Sequence, residues 1–212
     1  MLVSCGIVPS AFGRGIVIPL VKNTDENIAD SSNYRGITLS PMISKIFECL
    51  MIDMVKDKLI SSDLQFGFKS NSSCSHAILA LQARVKHIWI ICDNGATLCA
   101  LDVSKAFDRV NFYGLFKILV DCLFPKCFID LLLDWFSKCI SCVRWNGILS
   151  SPFAMYAGVR QGGLLSPALF AMYIDKLIQL FKSSGLGCRY NNTLYWLHML
   201  CWRHHFMKKV FH

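Results

Sequence analysis

Acidic residues are scarce, and beyond Asp175 there are none. Asp and Glu number 14 against 22 Lys and Arg, a net charge of +8 that favours a polyanionic partner such as nucleic acid or an anionic surface. Charge of either sign is thin at 17% beside 54% hydrophobic residues, which excludes a disordered or fibrous chain. No apolar run is long enough to span a bilayer. The most apolar stretch, Leu115 to Phe136, is broken by Lys117, Asp121, Pro125, Lys126, Asp130 and Asp134, which argues against a membrane role. The apolar start, Met1 to Ala11, has no basic segment before it and so lacks the form of a secretory signal. Repeats and low-complexity linkers are missing as well. Cysteine is plentiful, but its 11 copies are odd in number and irregular in spacing, unlike a disulfide framework. A reducing intracellular compartment, nucleus or cytoplasm, is the simpler reading.

What remains is enough for one domain or two small lobes in 212 residues. Ile16 to Val21 is a β-branched run that reads as a strand, followed by a polar loop from Asn23 to Arg35. Ser40-Pro41 has the form of a helix start, serine as N-cap and proline at the first helical position. Ile43, Ile46, Phe47, Leu50, Met51, Met54 and Leu59 then recur at helical spacing and predict the buried face. A second helix is predicted over Ser73–Ile90, and a fully buried strand over Ala96–Val103 after the Asn94-Gly95 turn. Helical patterns occupy Phe112–Leu123 and Phe128–Ser137, separated at Pro125. Ser141–Trp145 and Ser151–Ala157 read as strands with Asn146-Gly147 between them, a hairpin signal. Ser166-Pro167 opens a helix reaching about Phe181, ended by Gly185 and Gly187. This order implies an α+β fold.

Two segments carry chemistry. In Ala100-Leu101-Asp102-Val103-Ser104-Lys105-Ala106-Phe107-Asp108 an apolar strand delivers Asp102 at its end, where a carboxylate can leave the core and meet Mg2+, a cation that prefers hard oxygen ligands. A solvated aspartate followed by a core phenylalanine is the plain alternative. In Gly158-Val159-Arg160-Gln161-Gly162-Gly163-Leu164-Leu165-Ser166-Pro167 the glycines let backbone approach a ligand closely, just before a helix N-terminus whose free N–H groups favour anions. Arg160 and Gln161 add a cation and a two-sided amide. A strand–turn–helix junction alone accounts for the glycines but not for the Arg-Gln pair.

Together these segments resemble motifs A and B of reverse transcriptases, in the form carried by jockey-like non-LTR retrotransposons. Gly15-Ile16-Val17-Ile18-Pro19-Leu20-Val21-Lys22 and Asn33-Tyr34-Arg35-Gly36-Ile37-Thr38-Leu39 look like the two fingers motifs. Ser44-Lys45-Ile46-Phe47-Glu48 and Gln65-Phe66-Gly67-Phe68-Lys69 continue the pattern, so the resemblance runs from Gly13 to Thr193. It implies an incomplete right-hand polymerase, fingers plus part of the palm and no thumb, in residues 1–193, and RNA template, DNA primer and dNTP as partners. By the same resemblance Lys22 and Arg35 contact the triphosphate. Asp102 is catalytic and holds the Mg2+ ions with help from the Val103 carbonyl. Phe107 is the steric gate against a ribose 2′-hydroxyl, and Gln161 contacts the nascent base pair. The implied chemistry is two-metal phosphoryl transfer.

The chain departs from the family where it matters. Gly36 stands in place of the usual proline, and Asn71-Ser72-Ser73-Cys74 lacks the usual arginine and threonines. The family's aromatic-Ala-Asp-Asp turn falls about forty residues after the Arg-Gln-Gly step. The corresponding stretch here, Leu194 to His205, holds no acidic residue. Two Mg2+ ions need several carboxylates against their mutual repulsion, so the expectation is a truncated, inactive polymerase. Asp108 and Asp175 are poor substitutes, and neither a thumb nor an upstream endonuclease domain is recognisable. The alternatives are a non-catalytic nucleic-acid-binding remnant and a pseudogene product without function. Residues 194–212 fit a frameshift. Met199-Leu200-Cys201-Trp202-Arg203-His204 can be written ATG-CTA-TGC-TGG-CGA-CAT, and dropping one base reads Cys-Tyr-Ala-Gly-Asp. Cys139 and Cys142 have metal-ligand spacing, but no second pair accompanies them and both flanks are apolar, while the spacing of Cys188, His198, Cys201, His204 and His205 matches no known finger; zinc is set aside at both.

Overall fold

The computed structural model describes residues 6–69, 71–91, 103–184, 188–190 and 193–195. The chain divides into two compact units, Met1–Leu59 with Lys105–Phe170, and Ile60–Ser104 with Ala171–His212. Helices and strands mix in an α+β arrangement.

The first unit is built on a five-stranded sheet. Strand β1 (Arg14–Val21) pairs antiparallel with β2 (Tyr34–Leu39) and parallel with β3 (Ile140–Trp145). β4 (Ile148–Leu149) and β5 (Phe153–Ala154) pair antiparallel with β3, giving the order β2-β1-β3-β4 with β5 also on β3. Pro19 is tolerated within β1 because the β3 pairing stops at Val17, so its missing N–H leaves no ladder partner unmet. The β3–β4 hairpin turns through Asn146 at φ 48° and Gly147 at φ 82°, the left-handed pair that a tight hairpin requires. The single strand expected over Ser151–Ala157 is instead interrupted. Val143 N–H donates to the Ser150 hydroxyl at 2.9 Å, and Pro152 has no N–H to offer the ladder.

Helix α1 spans Met42–Val55. Its N-cap is Pro41, not Ser40, and no side chain caps it; the Ser40 hydroxyl is buried without a partner. Its buried face is Ser44, Phe47, Glu48, Met51 and Val55. Of the expected face Phe47 and Met51 are buried, and the rest is corrected, since Ile43, Ile46, Leu50 and Met54 are exposed. Both stripes recur at helical spacing, and the one that packs is the one that contains a carboxylate.

Helix α2 (Cys74–Ile91) belongs to the second unit, and helices α3 (Phe112–Asp121) and α4 (Lys126–Ser137) belong to the first. The Asn111 side chain caps α3 by accepting Gly114 N–H at 2.9 Å. On α4 Phe128, Leu131, Leu132 and Trp135 form the buried stripe, each worth about 1.5–3 kcal/mol in apolar area removed from water. Rings continue the core. Phe47 lies 5.5 Å from Phe12 and 5.7 Å from Trp135, centroid to centroid. The Phe12 carbonyl accepts from Trp135 Nε1 at 3.1 Å, from an Arg160 guanidinium nitrogen at 3.2 Å and, at 3.5 Å, from the Ser44 hydroxyl.

In the second unit α2 (Cys74–Ile91) buries Ala77 and Leu81. Helix α5 (Ser166–Ser183) begins in the first unit and continues into the second, where Ile174 and Ile178 are buried. Asp175 of α5 accepts Ser62 N–H at 2.9 Å and Gln179 Nε2 at 3.1 Å. Strands β6 (Cys188–Tyr190) and β7 (Thr193–Tyr195) pair antiparallel. Cys74 is disulfide-bonded, so the reading of irregular cysteines as free thiols does not hold at that position. The strand expected over Ala96–Val103 lies, but for Val103, outside the described residues, as do Gly185, Gly187 and the tail beyond Tyr195.

Candidate functional site

Alternation along the strands sorts the sheet into two faces. In β1 the residues Arg14, Ile16, Ile18 and Leu20 share a face, which continues to Lys22 just past the strand end. The antiparallel register sets Leu20 opposite Arg35 and Ile16 opposite Leu39. The parallel register adds Ile140 and Cys142, and alternation then carries Arg144. Arg14, Lys22, Arg35 and Arg144 therefore lie on one face, and all four are exposed. None of β1 to β5 contains an acidic residue. The opposite face is checked by Tyr34 and Trp145, whose rings meet edge to face at 5.4 Å.

The loop between β1 and β2 is held by its own polar groups. Asn33, 3% exposed, accepts Asn23 N–H at 3.0 Å and donates to the Asn23 carbonyl at 2.8 Å. Asp30 accepts Ser32 N–H at 2.8 Å and the Ser32 hydroxyl at 2.6 Å. These bonds, the hydroxyl first, hold the Asp30 carboxyl below its ordinary pKa. Lys22 Nζ donates to the Ser32 carbonyl at 2.6 Å. Lys22 and Arg35 are thus presented as diagonal neighbours on a stiffened hairpin.

The glycine-rich segment threads between that hairpin and the turn Ala106–Arg109. On one side Gly158 N–H donates to the Val110 carbonyl and Val159 N–H to the Phe107 carbonyl, both at 2.8 Å. A Cβ on Gly158, at φ 87°, would stand 2.9 Å from the Asp108 Cα. On the other side Thr38 N–H donates to the Gln161 carbonyl at 2.6 Å. A Cβ on Gly162, at φ 121°, would stand 2.5 Å from the Thr38 carbonyl oxygen. These glycines serve contact between protein backbones. The segment bearing Gln161 is thus bonded through its backbone both to the turn bearing Phe107 and to the strand bearing Arg35. Phe107 is 8% exposed, and its ring stacks on Phe170 at 4.7 Å and 14°. Val103 is 38% exposed, while Asp102 lies outside the described residues.

Two expectations need correction. Arg160 is not a cation offered to a ligand: it is 8% exposed and donates to the carbonyls of Phe12 and Gly13. Nor is the N-terminus of α5 free for an anion. Glu48, 2% exposed, accepts Leu165 N–H at 2.8 Å, and Leu164 N–H also bonds it. Burial pushes the Glu48 carboxyl above its ordinary pKa, opposed by those two N–H groups and by the charges of Arg160 and Lys45. The adjoining cavity, about 30 Å³ and lined by Glu48, Arg160, Cys139 and Ser166, is far too small for a nucleotide.

Arg14, Arg144 and Glu48 are the residues that sequence reasoning missed. The two-residue period links Arg14 to Lys22, whereas joining Arg144 to them needs the β1–β3 register. Glu48 could have been found only by asking which α1 stripe is continuous. Among the described residues no group of three His, Cys, Asp or Glu side chains comes together to hold a metal.

A family model described as reverse transcriptase (RNA-dependent DNA polymerase) matches residues 21–196, a span containing Lys22, Arg35, Asp102, Phe107 and Gln161. The chain is similar to the probable RNA-directed DNA polymerase from transposon X-element of Drosophila melanogaster, 27% identical over 77% of this chain and 18% of that protein. It is also similar to the corresponding protein from transposon BS of the same organism, 33% identical over 68% of this chain and 16% of that protein. The RNA-directed DNA polymerase from mobile element jockey of Drosophila funebris is 28% identical over 86% of this chain and 20% of that protein. The chain spans a fifth or less of the length of these relatives.

Proposed function

We propose, from the premise that this chain belongs to the reverse transcriptase (RNA-dependent DNA polymerase) family, jockey-like in kind, that it holds RNA, DNA and nucleotide phosphates without polymerising. The observation that carries binding is the acid-free sheet face with exposed Arg14, Lys22, Arg35 and Arg144. Four cations on one surface lower the cost of bringing phosphates together and release their counterions. Lys22 and Arg35 receive the triphosphate of a dNTP, Arg35 with a forked guanidinium suited to phosphate oxygens. Phe107, its ring plane fixed by Phe170, bars a 2′-hydroxyl, and the Gln161 amide bonds the nucleotide. An RNA template and a DNA primer lie along the same face.

Inactivity rests on charge. Mg2+, when bound to a polymerase, neutralises the phosphates in flight and activates the attacking hydroxyl. Asp102 and the Val103 carbonyl are the groups proposed to meet it. The described residues offer no further carboxylate cluster, and Leu194 to His205 contains none in sequence. The described residues, taken with the sequence of Leu194 to His205, do not fit a two-metal centre. Residues 1–193 are proposed as fingers and part of the palm, and 194–212 as a frameshifted tail.

Fluorescence anisotropy with single-stranded RNA and a Mg2+-dependent primer-extension assay test this reading. Binding should weaken steeply with salt, with a log–log slope near −3 for about four phosphate contacts. Incorporation of dNTP above that of Asp102→Ala would refute inactivity, and salt-independent binding would refute the phosphate-tracking face.

A further inference from the structure

Glu48 is an acid without a role in the reading above, yet it is among the most completely buried polar residues described, at 2% exposed. A buried carboxylate is retained only where donors compensate its lost hydration. Here the donors are the amides that open α5: Leu165 N–H at 2.8 Å, joined by Leu164 N–H. Their helix end also carries partial positive charge, which favours an anion there. Gly163 gives the approach room, since a Cβ there would stand 2.7 Å from Ser166 Oγ and 3.1 Å from Glu48 Oε2.

Gln161 sits between two grips. Behind it, toward α5, Glu48 holds the amides of residues 164 and 165. Beside it, Thr38 N–H holds its carbonyl at 2.6 Å, and Gly162 lies flush against the Thr38 carbonyl oxygen. The Gln161 backbone has no slack while both grips persist, and only its half-buried side chain is left to reach a ligand.

We infer that Glu48 is the positioning residue for Gln161, an internal carboxyl group that takes the helix end a phosphate could otherwise occupy and fixes the loop against β2. The inference rests on the proposed reading that Gln161 contacts a nucleotide. It differs from that reading in assigning control of the contact to a side chain that never touches the ligand. A buried acid with a merely structural role would lower stability overall without singling out this loop.

The experiment uses the full chain and Glu48→Ala, Glu48→Gln, Gln161→Ala and the Glu48→Ala/Gln161→Ala double variant. Amide exchange by NMR and binding of dATP with Mg2+ are measured on each. Glu48→Ala should speed exchange at Leu165 and Thr38 by about tenfold or more, a local opening that leaves Lys22 N–H, bonded to Asn33, unaffected. Its dATP affinity should fall to that of Gln161→Ala, and the double variant should fall no further, the mark of coupled residues. Glu48→Gln keeps a carbonyl acceptor and should stay within about threefold of the parent in both readouts.

Unchanged exchange at Thr38 and Leu165, a Gln variant as impaired as the Ala variant, or additive losses in the double variant would each overturn the inference. If the parent binds no dATP, the nucleotide role proposed for Gln161 fails, and with it Glu48's positioning role. Exchange then still shows whether Glu48 grips the loop. Should Glu48→Ala not fold, Gly163→Ala, whose Cβ meets Ser166 Oγ as well as Glu48 Oε2, crowds the grip without deleting the carboxylate and should speed exchange at the same two amides. Parent-like exchange in that variant would count against Glu48.

Discussion

Gly162→Ala and Gly147→Ala make a matched pair, because both glycines have positive φ and only one is enclosed. Gly147, at φ 82°, has nothing within 4 Å of an added Cβ. Its substitution costs the left-handed backbone penalty alone, about 1–2 kcal/mol. Gly162 stands at φ 121°, beyond the left-handed helical well, where an L side chain costs about 1–3 kcal/mol in backbone strain. Its added Cβ would also sit 2.5 Å from the Thr38 carbonyl oxygen, closer than any real contact, so loop and strand must part by most of an ångström. Parting breaks the Thr38 N–H to Gln161 bond and strands a donor on a residue 5% exposed, about 1–3 kcal/mol more. The sum is about 2–6 kcal/mol for Gly162→Ala against about 1–2 for Gly147→Ala. Urea unfolding with amide exchange at Thr38 reads both numbers. A Gly162→Ala protein no less stable than Gly147→Ala would refute the reasoning, since the enclosing contact would then contribute nothing.

Three further outcomes are expected. The raised Glu48 carboxyl means that the folded chain holds this proton more tightly than the unfolded chain. Its contribution to stability is therefore fully present below the ordinary value of 4.5 and declines as pH rises through the folded value. Arg160 and Lys45 are the charged groups that act on it, and it in turn adds to the rise that burial chiefly gives the Cys139 thiol. Parent minus Glu48→Gln stability, followed by urea titration against pH, should show that decline, and a flat difference would exclude it. Asn33→Ala leaves Asn23 N–H and C=O without their partner and should cost about 1–3 kcal/mol, with limited proteolysis appearing between residues 23 and 33; an uncut loop would contradict this. Arg144→Ala should reduce the magnitude of the salt slope for single-stranded RNA by about 0.7, and an unchanged slope would remove Arg144 from the binding face.

Local chemistry was legible where a single residue type dictates it. The Asn146-Gly147 turn, the Pro125 break and the β-branched strand after Arg14 all stand where the sequence places them. Helix α1 was legible as a helix but not as a face. Hydrophobic periodicity places Ile43, Ile46, Leu50 and Met54 on one face with Phe47 and Met51 because it counts apolar side chains, and only the last two are buried. It cannot see that Glu48 is buried by the amides of a helix more than a hundred residues away. The same limit hid the fate of Arg160, whose partners are the main-chain carbonyls of Phe12 and Gly13. Candidate residues carried by motif, Lys22, Arg35, Phe107 and Gln161, were named from sequence, but the basic face they share with Arg14 and Arg144 needed the β1–β3 register. Pairing between distant parallel strands leaves little trace in either strand alone.

The Phe12 carbonyl, where donors from residues 44, 135 and 160 converge, has a consequence for the chain as it is being made. Its partners stand 32, 123 and 148 positions downstream. A nascent chain that has released Phe12 and α1 from the ribosome can make the contacts of Phe12 with Ser44 and Phe47 but not those with Trp135 and Arg160. At synthesis rates of about 5–20 residues per second, the wait for Arg160 lasts many seconds. Through that interval Val8, Phe12 and the apolar face of α1 are uncovered, open to chaperones and to neighbouring chains on the same message. High sequence separation of this kind makes folding slow even where the finished contacts are strong. Refolding of the released chain should therefore outpace production of native protein on the ribosome only after the glycine-rich loop has emerged.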